Sequence, residues 1–65
     1  MKQYQLRVQN EKYDLDCKIG ALEDFIGNKY FHDVPAEEQD RLKRQLTYMQ
    51  FYSNVLGQRI DEFKE

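Results

Sequence analysis

The sequence predicts an all-α protein, an antiparallel two-helix hairpin that self-associates into a helical bundle. Three observations lead there. Apolar residues recur by threes, fours and sevens on both sides of a single punctuated stretch, the spacing of amphipathic helices. The second of those runs carries more apolar surface than one neighbouring helix can cover. The whole chain is 65 residues long, a size that buries only about 60% of the surface its unfolded form exposes.

The first element is expected over about residues 2–27. Tyr4, Val8, Leu15, Ile19, Leu22 and Ile26 share a narrow arc at about 100° per residue. Gly20 lies within it and costs roughly 1 kcal/mol relative to alanine, tolerable where another backbone packs close. The connector, 28–34, follows "GNKYFHDVPAEE". Gly27 and Asn28 suit a helix end in the left-handed conformation, and Asp33 suits a cap for the next helix. Phe31 and Val34 are expected to fold back over the end of the core. Pro35 suits a helix start, with Glu37 and Glu38 at its positive end. The second helix is expected over about 35–64, its stripe running Leu42, Leu46, Met49, Ser53, Leu56, Ile60 and Phe63. Residues 1–65 then form one helical-hairpin domain, the short turn forcing the helices antiparallel.

A further strip widens the apolar arc of the second helix to roughly 220°, where one buried face needs about 100°. It comprises Tyr48, Phe51, Tyr52 and Val55. Leu6, Tyr13 and Cys17 lie nearly opposite the first helix's core stripe. Surface tyrosines on their own need no explanation, but contiguous strips in so small a chain point to self-association. The expected oligomer interface is Leu6, Tyr13, Cys17, Tyr48, Phe51 and Val55, with a symmetric four-helix bundle the simplest solution.

Composition narrows the function classes. Hydrophobic residues at 40% and charged ones at 34% exclude disorder. A net charge of −2 gives no positive field for nucleic acid or an anionic membrane, so no specific DNA or RNA binding is expected. The sequence lacks a run apolar enough to span a bilayer, and "MKQYQLRVQNEKYD" has no signal core. Cys17 is the single cysteine and His32 the single histidine, too few for an internal disulfide or a zinc site. No metal, cofactor or catalytic residue is expected: the chain carries no phosphate loop, triad or paired carboxylates in a cleft. It reads as a non-enzyme.

Polar residues border the apolar seams. Glu11 and Lys18 stand at heptad positions beside Val8, Leu15 and Leu22, and Arg59 lies one turn from Leu56. Hairpin geometry sets Arg7 near Gly57 and Arg59, Glu11 near Tyr52 and Ser53, and Lys18 near Gln45. Tyr4, Arg7, Glu11, Tyr52 and Arg59 thus gather toward one end. Two readings stand side by side. Guanidinium groups fork onto phosphates and tyrosine rings stack on bases, which makes a nucleotide site. Alternatively Glu11 pairs with Arg7 or Arg59 and fixes register.

The runs "YQLRVQNEKYDLDCKIGALEDFI" and "VPAEEQDRLKRQLTYMQFYSNVLGQRI" resemble a family of very small helical proteins of tailed phages, crAss-like phages included. Its marks fall on Tyr4, Arg7, Val8, Glu11, Leu15, Lys18, Ile19, Leu22, Phe25 and Ile26, then on Leu42, Gln45, Leu46, Met49, Tyr52, Leu56, Arg59 and Ile60. Gly20 and Ala21 depart from it, standing where a longer charged residue is expected. By analogy with small phage-encoded sponges, the resemblance implies an oligomer that captures a nucleotide immune signal in the infected cell's cytoplasm. The ligand-binding set is then Tyr4, Arg7, Glu11, Lys18, Gln45, Tyr52 and Arg59. The alternative is a helical inhibitor or adaptor that docks on a host protein through its aromatic face.

Overall fold

A computed structural model describes residues 2–63. Helix α1 spans Gln3–Ile26, a 3₁₀ turn covers Lys29–Asp33, and helix α2 spans Ala36–Asp61. The helices fold back on each other as an antiparallel hairpin, a rod measuring 49 × 14 × 13 Å. Tyr4 meets Phe63 at the open end, Lys12 meets Ser53 midway, and Glu23 meets Gln50 nearer the connector.

One apolar seam holds the two helices together. Val8, Leu15 and Leu56 are buried, with Ile19, Met49, Ile60 and Phe63 packed against them. Leu56 is wholly enclosed at 0% exposure. Full burial of such a side chain contributes roughly 1.5–3 kcal/mol. With so few side chains enclosed, the core is thin. Phe31 plugs the connector end, edge-on to Phe25 at 5.8 Å and with the Lys43 ammonium 5.7 Å from its ring centre. Tyr4, counted in the core stripe from its spacing, is half exposed and sits edge-on to Phe63 at 5.7 Å. Gln5 takes the buried place beside it instead. Its Oε1 accepts the Lys2 N–H at 3.0 Å, half of a capping box, while its enclosed Nε2 has no partner among the described residues.

The connector departs from expectation in two ways. Gly27 ends α1 in right-handed conformation, φ −80°, and not in the left-handed region. The chain tightens directly into the 3₁₀ turn through Asn28 N–H to the Phe25 carbonyl, so no reversal of φ is needed. Asn28 caps that turn, its Oδ1 accepting the Tyr30 N–H at 2.9 Å. Asp33 does not cap α2. Pro35 holds the cap position, and the Gln39 amide donates back to the Val34 carbonyl at 2.7 Å. At the far end α2 finishes at Asp61 with 3₁₀-type bonds; Lys64, where the helix was expected to end, lies outside the described residues.

Two substitutions probe this packing. Leu56→Ala should cost about 2–5 kcal/mol, read as a lower urea midpoint at fixed protein concentration. A methyl group at Gly20 meets nothing within 4 Å in the hairpin, so Gly20→Ala should raise the midpoint through better helix propensity. A fall instead would place a second chain's backbone against Gly20.

Candidate ligand-binding face

Helix α2 carries two heptad seams side by side. The core seam steps by alternate fours and threes from Leu42 to Phe63. The same steps, begun one residue earlier, run from Arg41 through Gln45, Tyr48, Tyr52, Val55 and Arg59 to Glu62. A one-residue shift turns the seam by about 100°, so the two are neighbouring faces of one helix. The first is covered by α1. The second stands open, with Tyr48 70% exposed, and Phe51 beside it at 64%. Helix α1 shows a matching flank. Tyr4, Glu11, Lys18 and Phe25 recur every seven residues, and Arg7 lies within about 60° of Tyr4 on the same side.

Two open hollows lie along this face. One, about 500 Å³, is lined by Arg41, Arg44, Gln45, Tyr48, Met49 and Tyr52. The other, about 450 Å³, is lined by Tyr4, Val55, Gln58, Arg59, Glu62 and Phe63. The structure therefore brings Tyr4 to Arg59, and Gln45 to Tyr52, in separate hollows. Arg7, Glu11 and Lys18 line neither, and all three are exposed. Among the described residues Glu11 forms no ion pair with Arg7 or Arg59; the pairs found are Lys12–Asp16, Arg41–Glu38 and Arg44–Asp40. The last two are exposed, at 2.7 and 3.0 Å, and such pairs hold their partners weakly. Of the residues assigned to self-association, Leu6, Tyr13 and Cys17 are exposed on α1 and Tyr48, Phe51 and Val55 on α2.

The opposite flank holds a polar clamp that periodicity alone did not reveal. The Lys12 ammonium reaches Asp16 at 2.9 Å and the nearly buried Ser53 hydroxyl at 3.0 Å, and that hydroxyl donates to Asp16. Gly57 lies beside the lysine stem, where a methyl group would sit 3.4 Å from Cε, an ordinary contact. Ser53 had been expected near Glu11; Lys12 and Asp16 meet it. The available signal was a serine and a glycine four residues apart in and beside an otherwise apolar seam. Lys12 first, and Ser53 second, hold the Asp16 carboxyl below its usual range.

The fold and this face define a small helical hairpin with an uncovered aromatic and cationic flank. Residues 2–62 match the family model described as Sequestin, and the chain belongs to that family. It is also 41% identical over 64 residues to a protein of Enterobacteria phage T4 described as an uncharacterized 7.5 kDa protein in the denB-rIIB intergenic region. That match covers 98% of this chain and 100% of the relative. No solved structure matches the chain.

A depressed carboxyl contributes stability above its ordinary range, and that contribution disappears as pH falls through the folded value. The chain should therefore be more stable than Asp16→Asn at neutral pH, with urea midpoints converging as the pH falls below the depressed folded value, where the carboxyl is protonated in both states.

Proposed function

We propose that this chain is a phage anti-defence protein that self-associates and sequesters a nucleotide-type immune signal, a cyclic oligonucleotide or a cyclic ADP-ribose isomer, without catalysis. It would act in the cytoplasm of the infected bacterial host. The observation that carries this reading is the hollow that Arg59 shares with Tyr4, on a flank where Arg7 and Lys18 also stand exposed, with no ion-pair partner for any of these cations among the described residues. Exposed cations and aromatic rings on one flank suit phosphates and bases. The family description, Sequestin, points the same way. Sequestration needs affinity alone, which fits a hairpin whose hollows are open.

The proposed division of labour follows side-chain chemistry. Arg7, Lys18 and Arg59 hold phosphate. Tyr4 and Tyr52 stack on bases, and Glu11 and Gln45 supply polar contacts to base or ribose. Leu6, Tyr13, Cys17, Tyr48, Phe51 and Val55 bring copies of the chain together. The same exposure of Tyr48 and Phe51 favours a second reading, docking on a host protein, in which the strip stays open until that protein arrives.

Calorimetry against a panel of cyclic oligonucleotides and cyclic ADP-ribose isomers decides between them. Binding should be detected, and Arg7→Ala and Arg59→Ala should each weaken it by about tenfold or more, the scale of a charge-assisted hydrogen bond. Silence across the panel from a chain that is oligomeric and helical removes the sponge reading.

A further inference from the structure

We infer that two copies pair through the open seam of α2 in antiparallel fashion, so that each ligand site is shared between subunits. The inference rests on the sponge reading for what the site holds, but not for its geometry. A contact between identical copies about a two-fold axis must present the same surface twice. The open seam runs from Arg41 to Glu62 and is centred on Tyr52, with its apolar residues, Tyr48 and Val55, about equally far on either side. A two-fold axis at Tyr52 therefore lays Tyr48 against Val55 of the partner subunit, and the reverse.

Charge chooses the direction. With the two α2 helices parallel, Arg41 and Arg59 would each face their own copies, and so would Glu62. Antiparallel, Arg41 comes opposite Glu62 of the partner subunit, and attraction replaces repulsion at both ends. The exposed ion pair from Arg41 to Glu38 does not stand in the way, since such contacts exchange readily.

The hollows supply an independent argument. The one around Gln45 and Tyr48 lies on one side of Tyr52, and the one around Arg59 and Tyr4 lies on the other at a similar distance. The same axis sets each hollow over the other's counterpart, so two half-sites close into one, twice per dimer. A two-fold perpendicular to the helices also keeps both α1 helices on the same side of the α2 pair. Lys18 and Gln45 of one subunit then face Tyr4, Arg7 and Arg59 of the partner subunit across a cleft. Three cations from two chains converge there, a clamp that no single hairpin provides. A ligand bridging this cleft binds the dimer and by linkage tightens it.

Disulfide trapping in a Cys17→Ser background tests the geometry without any ligand. The positions used are exposed, so helix content should stay unchanged by circular dichroism. Tyr52→Cys alone should cross-link under mild oxidant, because its copies meet at the axis. Gln45→Cys alone and Arg59→Cys alone should stay monomeric on a denaturing gel, since 14 residues of helix, about 21 Å, separate each from its own copy. Mixing those two variants should give cross-linked heterodimer. Efficient trapping of Gln45→Cys by itself would mean a parallel pair and overturn the proposal, as would absence of trapping at Tyr52→Cys. The nucleotide reading fails separately: the expected cross-links with no nucleotide bound leave the dimer standing, while nucleotide binding without them leaves the sponge and removes this site.

Discussion

Everything in this molecule follows from a helix with two seams and a hairpin that covers one. The steps from Leu42 to Phe63 and those from Arg41 to Glu62 are the same pattern offset by a residue. Helix α1 packs on the first and cannot turn the corner to reach the second. The covered seam makes a thin core around Val8, Leu15 and Leu56. The open one leaves Tyr48, Tyr52 and Val55 exposed. Burying apolar surface is the dominant favourable term in small folds, so an uncovered seam is a standing drive toward association.

Register along the hairpin is specified by polar contacts as well as by apolar packing. A seam of similar aliphatic side chains permits sliding by a turn at modest cost, and polar groups that match at one offset alone do not. Ser53 interrupts the seam, and Lys12 and Asp16 meet it. The ends reinforce that choice, with Phe31 closing the connector side and the Tyr4–Phe63 pair closing the other. This register is what carries Tyr4 to the hollow holding Arg59. The clamp on one flank thus positions the candidate site on the other.

The chemistry of that site is plain. Among the described residues Arg7, Lys18 and Arg59 have no ion-pair partner, while Lys12 is held in the clamp, Arg41 and Arg44 by neighbouring carboxylates, and Lys29 and Lys43 lie over the rings of Tyr30 and Phe31. Membership of the Sequestin family and the kinship with a small phage T4 protein set this arrangement among small phage proteins. In the proposed mechanism a captured signal is silenced by mass action, so the protein needs many walls around its ligand and no reacting group. Sharing walls between copies is how a chain this short would supply them.

The two helices, their antiparallel course and the Phe31 plug were legible in residue spacing, because a 3.6-residue period and a single break around Gly27–Pro35 leave few other folds. The excess arc of α2 was legible for the same reason. Spacing places a side chain on its own helix, but it does not say how far one helix is rotated about the other. That rotation put Lys12 and Asp16, not Glu11, against Ser53, buried Gln5 in place of Tyr4, and brought Tyr4 to the hollow of Arg59 while leaving Arg7 and Glu11 outside it. Likewise the conformation of Gly27 depended on the 3₁₀ turn that follows it. The angular pattern is local and belongs to the sequence; the choice of which flank meets which is a sum over contacts from both helices, and only their packing together decides it.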